Sequence, residues 1–112
     1  MVNVYDYANN LAKALKESDE YTKFVEARKK IYANEDTKNK VEDFNKKQYE
    51  LQIASMKGEN PEQAKMEKLQ ELYKMLVESE DVKNYFDLQV KFNIMLADIN
   101  KIIGEAVKEA IV

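Results

Sequence analysis

SEDVKNYFDLQVKFNIMLADINKIIGEAVKEA, residues 79–110, keeps helical spacing over its whole length, with Gly104 as the only interruption. Its apolar residues Tyr85, Leu88, Phe92, Met95, Leu96, Ile99, Ile103, Ala106 and Ala110 fall on one stripe, the i, i+3, i+4, i+7 pattern of a helix face. A second row, Phe86, Val90, Ile94 and Ala97, lies on nearly the opposite side at about 100° per residue. A helix apolar on two faces must be covered on two faces. It is either the central helix of a bundle or a helix whose back meets another subunit. At about 1.5 Å per residue it would be on the order of 45 Å long, against a gyration radius of ~13 Å for a compact chain of this size. An overhanging helix with an apolar back points to a partner, most simply a second copy. Phe86, Val90, Ile94 and Ala97 are therefore the candidate interface, and a dimer is the expected assembly.

Working backward from Ser79, the start of this helix has a chemistry that recurs. Ser79-Glu80-Asp81 echoes Ser18-Asp19-Glu20, and Asn34-Glu35-Asp36 lies between them. In each, a Ser or Asn can accept a hydrogen bond from the unsatisfied amides of a first helical turn. Two carboxylates follow, where the positive end of the helix dipole favours them. The echo could record a duplicated helical unit, but good caps look alike and that suffices. A further start is Asn60-Pro61-Glu62-Gln63, with Asn as cap, Pro at the first helical position and Gln reaching back. Gly58 ends the helix before it.

These signals predict five helices, over about 3–16, 19–33, 35–57, 61–78 and 79–110. The first carries Val4, Tyr7, Ala8, Leu11 and Leu15 on one stripe, and the second Tyr21, Phe24, Val25, Ile31 and Tyr32. The third shows Val41, Phe44 and Leu51 with a drifting row of Tyr49, Ile53 and Met56; the fourth shows Met66, Leu69, Leu72, Tyr73 and Leu76. None alternates as a strand would. The short 58–60 connection makes helices 3 and 4 an antiparallel hairpin. The expected fold class is an all-α bundle.

Composition supports this. The chain has 112 residues, 2 Gly and 1 Pro, a size and usage that suit one helical domain over 1–112 with short turns. Seven Tyr and four Phe are too many for a disordered chain. The longest uncharged run of the last helix, Phe92 to Ala97, is far short of the ~20 residues that span a bilayer. With no signal-peptide pattern, the expected location is the cytoplasm. A net charge of −3 disfavours duplex nucleic acid as a partner of the whole surface.

The residue inventory excludes several chemistries. Cys, His and Trp are absent, so there is no thiolate nucleophile, no thiolate metal site, no histidine base and no phosphohistidine. A ferritin-type di-iron site, which needs Glu-x-x-His on facing helices, is excluded too. Gly58 and Gly104 are too far apart for a phosphate loop. Carboxylate pairs such as Glu67 with Glu71 and Glu105 with Glu109 could hold a cation, but 21 acids on five helices make such spacings common. A non-enzymatic protein without a cofactor is expected. A basic excess runs from Arg28-Lys29-Lys30 through Lys38 and Lys40 to Lys46-Lys47, near Tyr32, Phe44 and Tyr49. A base-stacking surface for single-stranded RNA is conceivable there. Glu35, Asp36, Glu42 and Asp43 interleave, however, and the aromatics share the core stripe, so a mixed-charge solvated face is the better reading.

Four segments carry a resemblance. They are Asn3-Val4-Tyr5-Asp6-Tyr7-Ala8-Asn9-Asn10-Leu11-Ala12, Ser18-Asp19-Glu20-Tyr21, the Phe44…Gln48…Leu51-Gln52 stretch, and Leu96-Ala97-Asp98-Ile99-Asn100-Lys101-Ile102-Ile103. Together they resemble the bacterial YlbF/YmcA family, closest to its YheA-like branch, over essentially the whole chain. The resemblance implies a cytoplasmic helical protein that forms homo- or hetero-oligomers. It also implies that relatives act with a third protein in a complex that supports competence, sporulation and biofilm formation and is linked to a ribonuclease and mRNA processing. The iron–sulfur clusters of the two better-known members are held through cysteines and cannot be carried over to a chain with none. Two functions are therefore expected in order: an oligomeric helical interaction or adaptor protein, then an RNA-processing regulator acting with a ribonuclease complex.

Overall fold

The structure is a computed structural model that describes residues 2–111. Five α-helices account for the ordered elements: α1 (Val4–Glu17), α2 (Asp19–Tyr32), α3 (Glu35–Met56), α4 (Gln63–Leu76) and α5 (Glu80–Ile111). Among the described residues there is no strand.

The helix starts follow the expected capping chemistry, with one addition and one correction. The Tyr21 amide donates to Ser18 Oγ at 3.2 Å, the Thr37 amide to Asn34 Oδ1 at 3.0 Å and the Val82 amide to Ser79 Oγ at 3.4 Å. Asn3, which the sequence reading assigned no such role, caps α1 by accepting from the Tyr5 and Asp6 amides. The fourth start differs from expectation. The residue preceding α4 is Glu62, in extended conformation and without a side-chain cap, so Asn60 caps nothing and Pro61 lies outside the helix. The cause is upstream. Gly58 adopts φ +78, its amide donates to the Ser55 carbonyl, and the Glu59 amide reaches back to the Ala54 carbonyl. This pair of bonds is a Schellman C-cap, which satisfies the last carbonyls of α3. The turn carries the chain through Asn60, and a residue before proline is held extended. The Glu62 carbonyl is then the first to accept helical bonds, from Lys65 and Met66.

By their contacts, the residues group into two compact units. One comprises Met1–Glu26 with Phe86–Val112, the other Ala27–Tyr85. Helices α2 and α5 contribute residues to both. A hydrophobic period reports which face of a helix is covered, but not that the cover changes along its length.

The Ala27–Tyr85 unit holds the core. Ala27, Ile31, Val41, Phe44, Leu76, Val82 and Tyr85 are buried there, Val41 and Val82 almost completely. Each such large side chain withdrawn from water contributes about 1.5–3 kcal/mol. Helices α3 and α4 pack against one another, with the Phe44 and Tyr73 rings 5.8 Å apart. Joined by so short a connection, they form the expected antiparallel hairpin.

The other unit is sparsely covered. Phe86 is its only buried hydrophobic residue among those described. Tyr21 and Phe24 of α2 each meet Phe92 of α5 at ring-centroid distances of 5.6 Å. Helix α1 buries none of its residues.

Candidate interaction surface

Apart from Val2, which precedes α1, the large exposed apolar side chains of the sparsely covered unit lie on two helices. On α1 they are Val4, Tyr5, Tyr7 and Leu11; on α5 they are Val90, Ile94, Ile102, Ile103 and Val107. The strongly one-sided apolar stripe of α1 is expected to face a core. Instead, Val4 and Tyr7 are 70% and 67% exposed. Amphipathic spacing states that a face needs cover, but not what supplies it.

The four residues singled out on α5 separate in the structure. Val90 and Ile94 are more than half exposed and Ala97 is exposed, whereas Phe86 is buried within the chain. The second apolar row thus begins under cover at Phe86 and emerges at Val90. The main stripe stays covered further along the helix. Tyr85 is buried and Leu88, Phe92, Met95, Leu96 and Ile99 are partly covered, but Ile103, Ala106 and Ala110 are exposed. Past Ile99, the main stripe is open as well. The missed residues are Ile102, Ile103 and Val107 with the α1 face. The signal for Ile103 was present, since it continues the main stripe beyond any segment able to pack on it.

A cleft of about 430 Å³ lies between the end of α3 and the start of α4, lined by Lys47, Glu50, Leu51, Glu59, Lys65 and Lys68 among others. Lysines and glutamates alternate around it, so it presents no single sign of charge to a ligand. Among the described residues, no three acids gather in a way that could hold a metal ion. Glu105 pairs with Lys108 at 3.1 Å, and Glu67 accepts from the Gln63 side chain.

Three lysines of the basic segment have acidic partners. Lys30 pairs with Asp81 at 3.1 Å, Lys40 with Asp36 at 3.0 Å and Lys47 with Asp43 at 2.9 Å. Tyr32 is half-buried and Phe44 buried, as their place on the core stripe requires. Tyr49 and Met56 are not, at 63% and 77% exposure. Over the 22 residues of α3 the second row drifts off the covered side. The Arg28 guanidinium sits 4.2 Å above the Tyr32 ring, a cation–π contact that occupies both groups. Beside them, burial pushes the Tyr85 phenol above its usual pKa; Tyr32 adds to this and Arg28 opposes it.

The matches to known proteins cover the same span as the helices. The profile of the family described as "Control of competence regulator ComK, YlbF/YmcA" matches residues 4–108. The chain belongs to the YlbF/YmcA family. A UPF0342 protein of Symbiobacterium thermophilum is 40% identical over 104 residues, covering 93% of each chain. A UPF0342 protein of Caldicellulosiruptor saccharolyticus is 42% identical over 107 residues, covering 96% of this chain and 89% of the relative. A solved structure, a protein of unknown function (DUF964) from Bacillus stearothermophilus, aligns with a TM-score of 0.78. At 17% identity over 95% of this chain and 93% of that one, it shows a shared fold. By its description, the YlbF/YmcA family is tied to control of a competence regulator. Among the described residues, no helix of this member is long and apolar enough to cross a membrane.

Proposed function

We propose that this YlbF/YmcA member is a non-enzymatic, cytoplasmic interaction protein that self-associates, dimer first, and acts in competence-linked regulation through the surface so formed. The observation that carries this reading is the exposure of large apolar side chains in the Met1–Glu26 and Phe86–Val112 unit, where ten remain exposed among the described residues against a single buried one. Large exposed apolar patches mark protein–protein interaction sites. The absence of Cys and His from the chain removes the usual nucleophiles and bases from consideration and supports a role in binding over one in catalysis.

Light scattering of the full chain across micromolar concentrations tests it. A dimer is expected, dissociating to monomer when Val90 and Ile94 are both changed to Glu, with helical circular dichroism retained. A wild-type chain that stays monomeric throughout would overturn the reading.

A further inference from the structure

The α3–α4 cleft lies wholly within the Ala27–Tyr85 unit. Its volume of about 430 Å³ falls in the range of small-ligand sites. Leu51, Ala54 and Pro61, each partly covered, form its apolar wall. Six charged side chains share the lining: Lys47, Glu50, Glu59, Glu62, Lys65 and Lys68. Lys47 pairs with Asp43, which is not part of the cleft. Among the described residues, none of the other five has an ion pair. Opposite charges about one turn apart ordinarily pair with each other, yet Glu62 and Lys65 do not. Both signs line one concavity and stay available to a third body.

The two signs share the rim, but the ends of the cleft differ. Phe44 meets Tyr73 and the chain reverses after Gly58, which fixes the register of the hairpin. Lys47 and Lys68 therefore lie toward the aromatic pair, and Glu59 and Glu62 lie at the turn. Glu50 on α3 and Lys65 on α4 stand between these ends. Lys47 precedes Met56, the last residue of α3, by nine residues, on the order of 14 Å along the axis. That is the length of about four extended residues. A peptide of this length with free termini carries a carboxylate at one end and an ammonium at the other. Its middle side chains would meet Leu51 and Ala54. A ligand of one sign would satisfy one end of the cleft and be repelled by the other. Among the described residues no aromatic ring lines the cleft, so a nucleobase finds no stacking face there.

We propose that the α3–α4 cleft binds short free peptides of about four residues, with the carboxylate toward Lys47 and Lys68 and the ammonium toward Glu59 and Glu62. Amide NMR of the labelled full chain, titrated with the peptide Leu-Ala-Ala-Leu, tests it. Saturable shifts are expected at Leu51, Ala54 and Lys65, with a Kd of about 1 mM or tighter. Acetylating the amino end or amidating the carboxyl end removes one charge and should weaken binding about threefold; blocking both should weaken it about tenfold. Lys47→Ala with Lys68→Ala should weaken the free peptide about threefold and leave the amidated one unchanged. Glu59→Ala with Glu62→Ala should weaken the free peptide likewise and spare the acetylated one. All four positions are exposed, so helical circular dichroism should be retained in both variants. No saturable shift up to about 10 mM, or shifts confined to residues outside the cleft, would overturn the proposal. A blocked peptide that binds as well as the free one does so too, as do variants that respond to the wrong terminus.

Discussion

The rings of Phe44 and Tyr73 lie 5.8 Å apart at a tilt of 38°, so the contact joining α3 to α4 is an aromatic pair with one buried and one half-open member. Phe44 is 6% exposed and Tyr73 42%. Phe44→Ala should therefore destabilise the fold by about 3–5 kcal/mol, whereas Tyr73→Ala should cost clearly less. Urea unfolding followed by circular dichroism distinguishes them; equal losses would mean that burial does not govern this contact.

The caps make a graded set. Removing a side chain that accepts from first-turn amides costs about 1 kcal/mol. Asn34→Ala, with its bond at 3.0 Å, should lose about that much, and Ser79→Ala, at 3.4 Å, somewhat less. Asn60→Ala should be close to neutral, because Asn60 caps no helix. Shifts in thermal midpoint for the three variants check the order.

Tyr85 ties stability to alkaline pH. Burial raises its folded pKa above 10.0, with Tyr32 adding and Arg28 opposing. The unfolded chain releases this proton first, so stability from Tyr85 is fully present below about pH 10 and is lost as the pH rises towards the folded value. In a phenolate absorbance titration, the seven tyrosines should include a late-titrating one, absent in Tyr85→Phe. That variant should also show a shallower loss of stability above pH 10.

Much of this architecture is legible in the sequence, for physical reasons that also mark where legibility ends. Helix existence and type follow from 3.6-residue spacing and caps, so every expected boundary falls within two residues of the observed one. At Asn60-Pro61 the sequence reading missed, because the Schellman turn at Gly58 is set by backbone bonds to Ala54 and Ser55 that side-chain identity does not announce. Cover is harder still. Phe86 and Val90 look equivalent on a helical projection, yet one is buried and the other open. Val4 and Tyr7 have core-like spacing with no core over them. Periodicity is local, whereas cover depends on which distant segment arrives.

The two compact units bear on how the chain unfolds. Residues 1–112 are expected to behave as one domain, because α2 and α5 are continuous helices with residues in both units and breaking either interrupts cooperative propagation. Unfolding curves from helical circular dichroism and from tyrosine fluorescence should coincide. Two separated transitions would instead assign each unit its own stability.

The Gly58 turn has a kinetic consequence. It brings Phe44 and Tyr73 together across only the span from mid-α3 to late α4, and α3–α4 is the helix pair with the densest contacts. Closing a short loop carries little entropic cost, and chains rich in such local contacts fold fast. The hairpin is therefore expected to form early, and α1 and the end of α5 stay open both then and in the folded chain. These two segments are the part of the nascent chain most open to chance encounters with other apolar surfaces.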